Sequence, residues 1–166
     1  MQAQPVPQHA WLRKLIGEWA FEFVVPAGPD KPAEMFVGRE IVRPVGDLWV
    51  VGEGRGGMPG GGEMHSIITL GFDPAKGRYV GTWIGSMMSH LWVYDGELDA
   101  AGNALHLDCE GPAMDDSGRI VAYRDTVAFI DDDHRTLSGA TRDESGAWKT
   151  FMTTHYHRVK GTTDSM

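Results

Sequence analysis

Apolar and polar residues alternate along most of this chain, in ten short runs separated by turn-forming residues. Successive side chains of an extended strand point to opposite faces, so this alternation predicts half-buried β-strands. Residues 8–16 instead carry apolar positions at helical spacing and predict a short amphipathic helix. The predicted strands cover 18–25, 34–43, 47–55, 63–72, 78–85, 90–98, 104–110, 119–130, 135–142 and 147–159.

The connections between these strands are short and rich in Gly, Pro, Asp and Ser, as at residues 73–77. Short connections of this composition join neighbouring antiparallel strands. A meander of about ten strands without helical cover protects its edges by closing on itself. We therefore predict an all-β fold, a closed antiparallel up-and-down barrel with a short N-terminal helix. The alternative, a β-sandwich, needs long crossovers that the sequence does not contain.

Composition indicates how many domains the chain forms and which classes of binding partner it disfavours. The 166 residues are 42% hydrophobic, which predicts one domain over 1–166, with 1–7 and 161–166 as flexible tails. A net charge of −8 and scattered basic residues argue against binding to nucleic acid or to a membrane. The single cysteine, Cys109, lies in an alternating apolar run and is expected to be a buried, inert thiol. The N-terminus lacks the features of a signal peptide, so we expect a cytoplasmic location.

The tripeptide Gly17-Glu18-Trp19 follows the predicted helix and opens the first strand. In this position it resembles the calycin superfamily, which includes the lipocalins and the fatty-acid-binding proteins. The resemblance implies that Arg158, on the last strand, packs over Trp19 at the base of the barrel. A cation–π contact of this kind contributes about 1 kcal/mol and makes both residues a structural plug.

A second resemblance covers nearly the whole chain. It rests on the segments LWVVGEG (48–54), MPGG (58–61), TLGFDP (69–74) and KGRYVGTW (76–83), which occur in the same order. They are similar to a bacterial family classed as a domain of unknown function. The resemblance implies a calycin-like barrel with a ligand cavity, and no established activity.

Alternation from an inward Trp19 predicts which side chains line such a cavity. Aromatic residues concentrate on one face of the fifth and sixth predicted strands, and flexible methionines in the loop between them suit the rim of an apolar pocket. The alternative is that these residues only pack the core. Gly81 either relieves packing at a bend or leaves room for a ligand. The candidate ligand-binding residues are Trp83, Met87, His90 and Trp92, with Glu53, Tyr123 and Arg124 as polar anchors.

Two kinds of chemistry remain as alternatives. The sequence contains no nucleophile elbow, phosphate loop, zinc-protease helix or dinucleotide-binding motif, so no catalytic residue is predicted. His155-x-His157 places two imidazoles on one strand face about 7 Å apart, which suits one metal ion if a third ligand converges. Otherwise they are surface histidines. The third ligand would be His65, His90 or His106.

The cofactor is therefore unknown at this stage. The architecture is also similar to the nitrobindins, which ligate haem through a histidine late in the chain, and this implies His155 or His157 as a haem ligand. We rank a barrel that binds an apolar or amphipathic small molecule first, followed by an enzyme acting in the same cavity and a haem or metal barrel. A fully packed barrel would instead act by homodimerisation through outer-face residues such as Val24, Trp49, Val51 and Phe129.

Overall fold

A computed structural model describes residues 2–160, so the expected tail at 161–166 and Met1 lie outside the described residues. The described chain forms one helix, α1 Pro7–Arg13, followed by ten strands. The strands are β1 Gly17–Val25, β2 Glu34–Val45, β3 Trp49–Gly57, β4 Glu63–Asp73, β5 Arg78–Gly85, β6 Trp92–Leu98, β7 Ala104–Pro112, β8 Ile120–Asp131, β9 His134–Arg142 and β10 Trp148–Arg158.

Each strand pairs antiparallel with the next along the chain, and β1 pairs with β10, which closes the barrel. The predicted fold class is confirmed. The helix ends at Arg13 rather than at residue 16, and the sixth strand begins at Trp92 rather than at residue 90. Beyond Arg13 the chain tightens, and the amides of Leu15 and Ile16 donate to carbonyls three residues earlier.

The alternating strands place five loops at one end of the barrel, which we call the upper end: 26–33, 58–62, 86–91, 113–119 and 143–147. The opposite end, the floor, is covered by α1. Trp11 donates its indole N–H to the Gly102 carbonyl at 2.8 Å, and the Tyr79 hydroxyl donates to the Gln8 carbonyl at 2.8 Å. Within residues 2–160, no helix has the length and apolar character needed to cross a membrane.

Trp19 is the most deeply buried large side chain of the floor. Its indole N–H donates to the Leu15 carbonyl at 2.8 Å, and the Arg158 guanidinium lies over its ring at 4.3 Å, the arrangement that the calycin resemblance implies. Arg158 also donates to the carbonyls of Lys14 and Ile16, at 2.9 and 2.7 Å. One tryptophan and one arginine therefore join the helix, the first strand and the last strand.

The structure corrects the expected position of Phe129 and distinguishes between the two interpretations of Gly81. Phe129 does not lie on the outer face, because it follows the inward-facing Val127 by two residues and therefore also points inward. Its ring packs edge-to-face on that of Trp11, with 5.4 Å between the ring centres. A Cβ at Gly81 would collide with the backbone carbonyl of Thr69 and approach Leu70. Gly81 therefore marks a close approach of two strands and leaves no room for a ligand.

Trp19→Ala should lower the free energy of unfolding by about 3–5 kcal/mol, because it removes a fully buried ring on which the helix and both terminal strands pack. Trp19→Phe keeps a ring and loses the N–H bond to Leu15, so its effect should be clearly smaller. Urea unfolding monitored by circular dichroism measures both. A Trp19→Ala protein as stable as wild type would contradict this account of the floor.

Candidate functional site

The barrel encloses a cavity of about 130 Å³ on the side formed by β1 to β5 and β8 to β10. Apolar side chains make most of its wall. They alternate with outward-facing residues along each strand, which is the pattern expected of a barrel interior. Among them are Phe21, Phe23, Val42, Ile68, Trp83 and Leu137.

A buried ion pair forms the polar part of this wall. Arg135 donates from Nη2 to Oε1 of Glu40 at 2.5 Å, and the two side chains are only 5% and 10% exposed. Two charges in such a setting stabilise each other only as a pair, and removing one partner typically costs about 3–5 kcal/mol. The pair is therefore a fixed element of the cavity.

Arg135 carries an unsatisfied hydrogen-bond donor. Its guanidinium lies over the rings of Trp19 and Tyr156, at 4.5 and 4.0 Å. Its Nε is buried and is the one buried side-chain N or O atom of the described residues without a hydrogen-bond partner. A buried donor without an acceptor costs about 1–3 kcal/mol. Arg135 is also among the residues that line the cavity.

Gly52 makes space for the carboxylate of this pair. A Cβ at this position would lie 3.0 Å from Oε2 of Glu40 and 2.9 Å from Cγ2 of Ile68. Both contacts are tighter than side chains normally make, so a larger residue would displace the carboxylate or the strand. The inward glycine of β3 thus allows a charged side chain to fold into the interior.

Hydroxyl-bearing residues complete the polar part of the wall: Ser66, Thr154 and Tyr156. Burial raises the pKa of the Tyr156 phenol, so its hydroxyl remains neutral and can donate or accept. The charges of Glu40 and Arg135 balance each other. The wall therefore suits a neutral hydrogen-bonding group better than a further charge.

Of the seven predicted ligand-binding residues, Trp83 lines the cavity. Trp92 and Tyr123 also point inward and pack edge-to-face at 4.9 Å, but they fill the other side of the barrel. The Tyr123 hydroxyl donates to the Pro112 carbonyl at 2.6 Å. These two rings are part of the packing and do not belong to the cavity wall.

His90 and Met87 lie in the loop before β6, and neither lines the cavity. His90 places Nε2 2.9 Å from the Glu110 carbonyl oxygen and packs against Trp92. Met87 is exposed. The prediction that His90 lines the interior is wrong, because the sixth strand begins at Trp92 rather than at residue 90. Met87 was expected at the rim of the barrel, and it lies in a loop of the upper end.

Glu53 and Arg124 face the outside of the barrel. Glu53 contacts His65 at 2.6 Å, and Arg124 donates to both carboxylate oxygens of Asp108 at 2.6 and 3.0 Å. Their chain neighbours occupy the inward positions, so strand alternation directs Glu53 and Arg124 outward. The prediction that they anchor a ligand in the interior is wrong for this reason.

Sequence reasoning missed the polar residues that do line the cavity, Glu40, Arg135 and Tyr156. For Tyr156 the sequence did contain the necessary information. An Arg158 that packs over the inward Trp19 fixes the phase of the last strand and makes Tyr156 inward as well. The meeting of Glu40 with Arg135 depends on closure of the barrel between the first and last strands, and no local pattern reveals it.

A second polar cluster lies in the barrel but outside the cavity wall. The Tyr94 hydroxyl donates to Oδ2 of Asp125 at 2.6 Å. Burial raises the pKa of the Asp125 carboxyl, and the hydrogen bond from Tyr94 opposes this effect. Burial also raises the pKa of the nearby Cys109 thiol to about 12, so this cysteine is no nucleophile near neutral pH.

His155 and His157 lie on the outer face, because the inward position between them belongs to Tyr156. The histidine beside them is His134 and not one of the three expected candidates. His134 places Nε2 2.9 Å from Nδ1 of His155, and its ring stacks on that of His157 with 4.2 Å between the ring centres. Among residues 2–160, no group of three or more His, Cys, Asp or Glu has a geometry that could hold a metal ion. From the outer face, neither histidine can ligate a haem inside the cavity.

Comparison with known proteins identifies a family and a fold. A family described as "Protein of unknown function (DUF1579)" matches residues 4–158. No curated protein matches the chain. The crystal structure of Rv2717c from M. tuberculosis is similar with a TM-score of 0.64 at 16% identity, over 95% of this chain and 100% of that one. The S-type phycobiliprotein lyase CPES from Guillardia theta is similar with a TM-score of 0.55 at 11% identity, over 95% of each chain. At such identities these likenesses show the fold alone.

Asp125→Asn should become progressively more stable than wild type as pH rises above about 4, the ordinary pKa of an aspartate. Burial in the folded protein raises the pKa of the Asp125 carboxyl. Wild type therefore loses stability as pH rises through the pKa that this carboxyl has in the folded state. The asparagine amide does not ionise, so the variant does not lose this stability. Urea unfolding at several pH values measures the difference, with Asp30→Asn on the surface as control. A difference independent of pH would contradict the burial of a titrating Asp125.

His134→Gln should reduce the loss of stability that wild type shows as pH falls below about 6.5. Burial and the two neighbouring histidines lower the pKa of His134. The neutral His134 side chain therefore stabilises the folded protein fully at pH values above the ordinary histidine pKa, and this stability is lost on acidification. Thermal unfolding at neutral and mildly acidic pH measures this. His106→Gln, on another part of the barrel, is the control and should leave the acid sensitivity unchanged.

Proposed function

The chain belongs to the family described as "Protein of unknown function (DUF1579)", and we propose that it is a binding protein that holds one small apolar or amphipathic molecule inside its barrel. The observation that carries this proposal is the buried, unpaired Nε of Arg135 in the wall of an otherwise mostly apolar cavity. An apolar site with a few fixed polar groups is the usual form of a small-molecule pocket.

The cavity defines the chemistry of its guest. Its volume of about 130 Å³ is comparable to the ~150 Å³ apolar cavity that takes up benzene, so the enclosed part of the ligand has the size of one ring. We infer that the guest supplies an oxygen or nitrogen atom that accepts a hydrogen bond from the unpaired N–H of Arg135. Because Glu40 already balances the arginine charge, the group that meets it is neutral, such as a hydroxyl or carbonyl.

Benzyl alcohol and toluene test these two requirements, because they share a ring and differ in one hydroxyl group. We expect both to bind wild type and benzyl alcohol to bind about tenfold more tightly, as its oxygen accepts from Arg135. Isothermal titration calorimetry measures both affinities. Native mass spectrometry of the freshly purified protein, compared with the denatured chain, detects any retained guest and also a homodimer.

A matched pair of variants shows whether binding occurs in the cavity. Leu137→Phe adds volume to the cavity wall and should weaken both probes at least about tenfold, at a stability cost of about 1–3 kcal/mol. Val93→Phe adds the same ring on the outer face, where Val93 is 59% exposed, and should change neither affinity. Circular dichroism checks that both variants fold. Failure of wild type to bind either probe, or full binding by Leu137→Phe, would refute the proposal.

A further inference from the structure

The hydrogen-bonded ladder that closes the barrel is incomplete. β1 and β10 pair at only four positions, from Trp19 with Arg158 to Glu22 with His155. Above this point residues 23–25 of β1 pair only with β2, and residues 148–154 of β10 pair only with β9. We call this unpaired upper part of the β1–β10 boundary the seam.

An irregularity in β10 coincides with the seam. The register of β10 against β9 shifts between Thr150 and Met152, which leaves Phe151 as an extra residue. A bulge of this kind bends its strand and disrupts the local ladder. The separation of β10 from β1 thus has a cause within β10 itself, and the seam is a built feature of the barrel wall.

A surface groove of about 550 Å³ lies along the seam. Two of its lining residues, Phe23 and Met152, also line the interior cavity. These two side chains, one from each unpaired strand, are therefore shared by the walls of the inner and outer spaces. Methionine is flexible and adapts to different neighbours, which suits a position between two spaces.

Most of the groove wall is apolar, and Glu22, Thr150, Thr153 and His155 form its polar part. Val24 and Met35 are 58% and 61% exposed, and Phe151 is 46% exposed. Adjacent exposed apolar side chains of this kind mark a contact site for an apolar partner. Phe23 and Met152 lie between this wall and the interior cavity, so displacement of these two side chains would join the two spaces.

We infer that the natural ligand is an elongated, neutral, single-chain amphiphile whose polar head lies at Arg135 and whose alkyl tail passes through the seam into the groove. This inference rests on the proposed function and extends it to a ligand class. The cavity of about 130 Å³ holds the head and the first part of the chain, and the groove holds the remainder. The head lies inside because the unpaired donor is there, whereas the groove offers mainly apolar contact.

A chain-length series of primary alcohols tests the path of the tail, with 1-hexanol and 1-decanol as probes in calorimetric titrations. If the tail continues into the groove, each added methylene should tighten binding about two- to fourfold, so that 1-decanol binds at least about tenfold more tightly than 1-hexanol. If the guest is confined to the cavity, the longer alcohol should bind no better or fail to bind.

Surface variants locate the tail without disturbing the core. The double variant Val24→Ser with Met35→Ser should weaken 1-decanol at least about fivefold and leave 1-hexanol within about twofold of wild type. Val93→Ser, an equally exposed valine on β6, should change neither. The double variant Met88→Ser with Leu91→Ser tests exit past the upper loop 86–91 instead.

Three outcomes would overturn the inference. The first is equal affinity for 1-hexanol and 1-decanol, and the second is an unchanged affinity of the Val24 and Met35 double variant for 1-decanol. The third is a loss of 1-decanol binding in the Met88 and Leu91 double variant. In each case binding of benzyl alcohol and 1-hexanol by wild type would leave the proposed function standing. Absence of binding by all of these probes would refute the inference together with the proposed function.

Discussion

The stacking of two arginines on Trp19 is the interaction on which the rest of this structure depends. Arg158 ties the tryptophan to the helix and to the last strand, and Arg135 extends the stack to the cavity wall. The same ring thus completes the floor and supports the charged group of the interior. A buried guanidinium is tolerated only with close partners, and here Glu40, Trp19 and Tyr156 supply them.

The interior is divided between a packed half and a hollow half, and glycines on β3 contribute to the division. The inward positions of β6 and β7 carry Tyr94, Leu105 and Leu107, which are almost completely buried. The inward positions of β3 include Gly52 and Gly54, which project no side chain. Ile68 and the carboxylate of Glu40 lie in the space at Gly52, Ser66 lies close to the space at Gly54, and Gly52 itself lines the cavity.

The sequence was sufficient for the barrel but only partly sufficient for the site. Alternation and turn residues are local signals, so the ten strands and the inward phase of Trp19 and Phe21 follow from them directly. Trp83 was identified because bulky inward residues are also a local signal. Glu53 was wrongly predicted to point into the barrel, because the glycines on both sides of it give no alternation of apolar and polar side chains from which its direction can be inferred. The contact of Glu40 with Arg135 depends on barrel closure, which brings together residues far apart in sequence.

Closure between the first and last strands also has a consequence for folding. Every other ladder in the barrel joins consecutive strands and can form as a local hairpin. The contact of Trp19 with Arg158 instead requires almost the entire chain to be brought into a loop, which is entropically unfavourable and slow. We therefore expect the β1–β10 ladder to form late. A newly synthesised chain would then complete its floor and its interior cavity in the same final step, after the hairpins are in place.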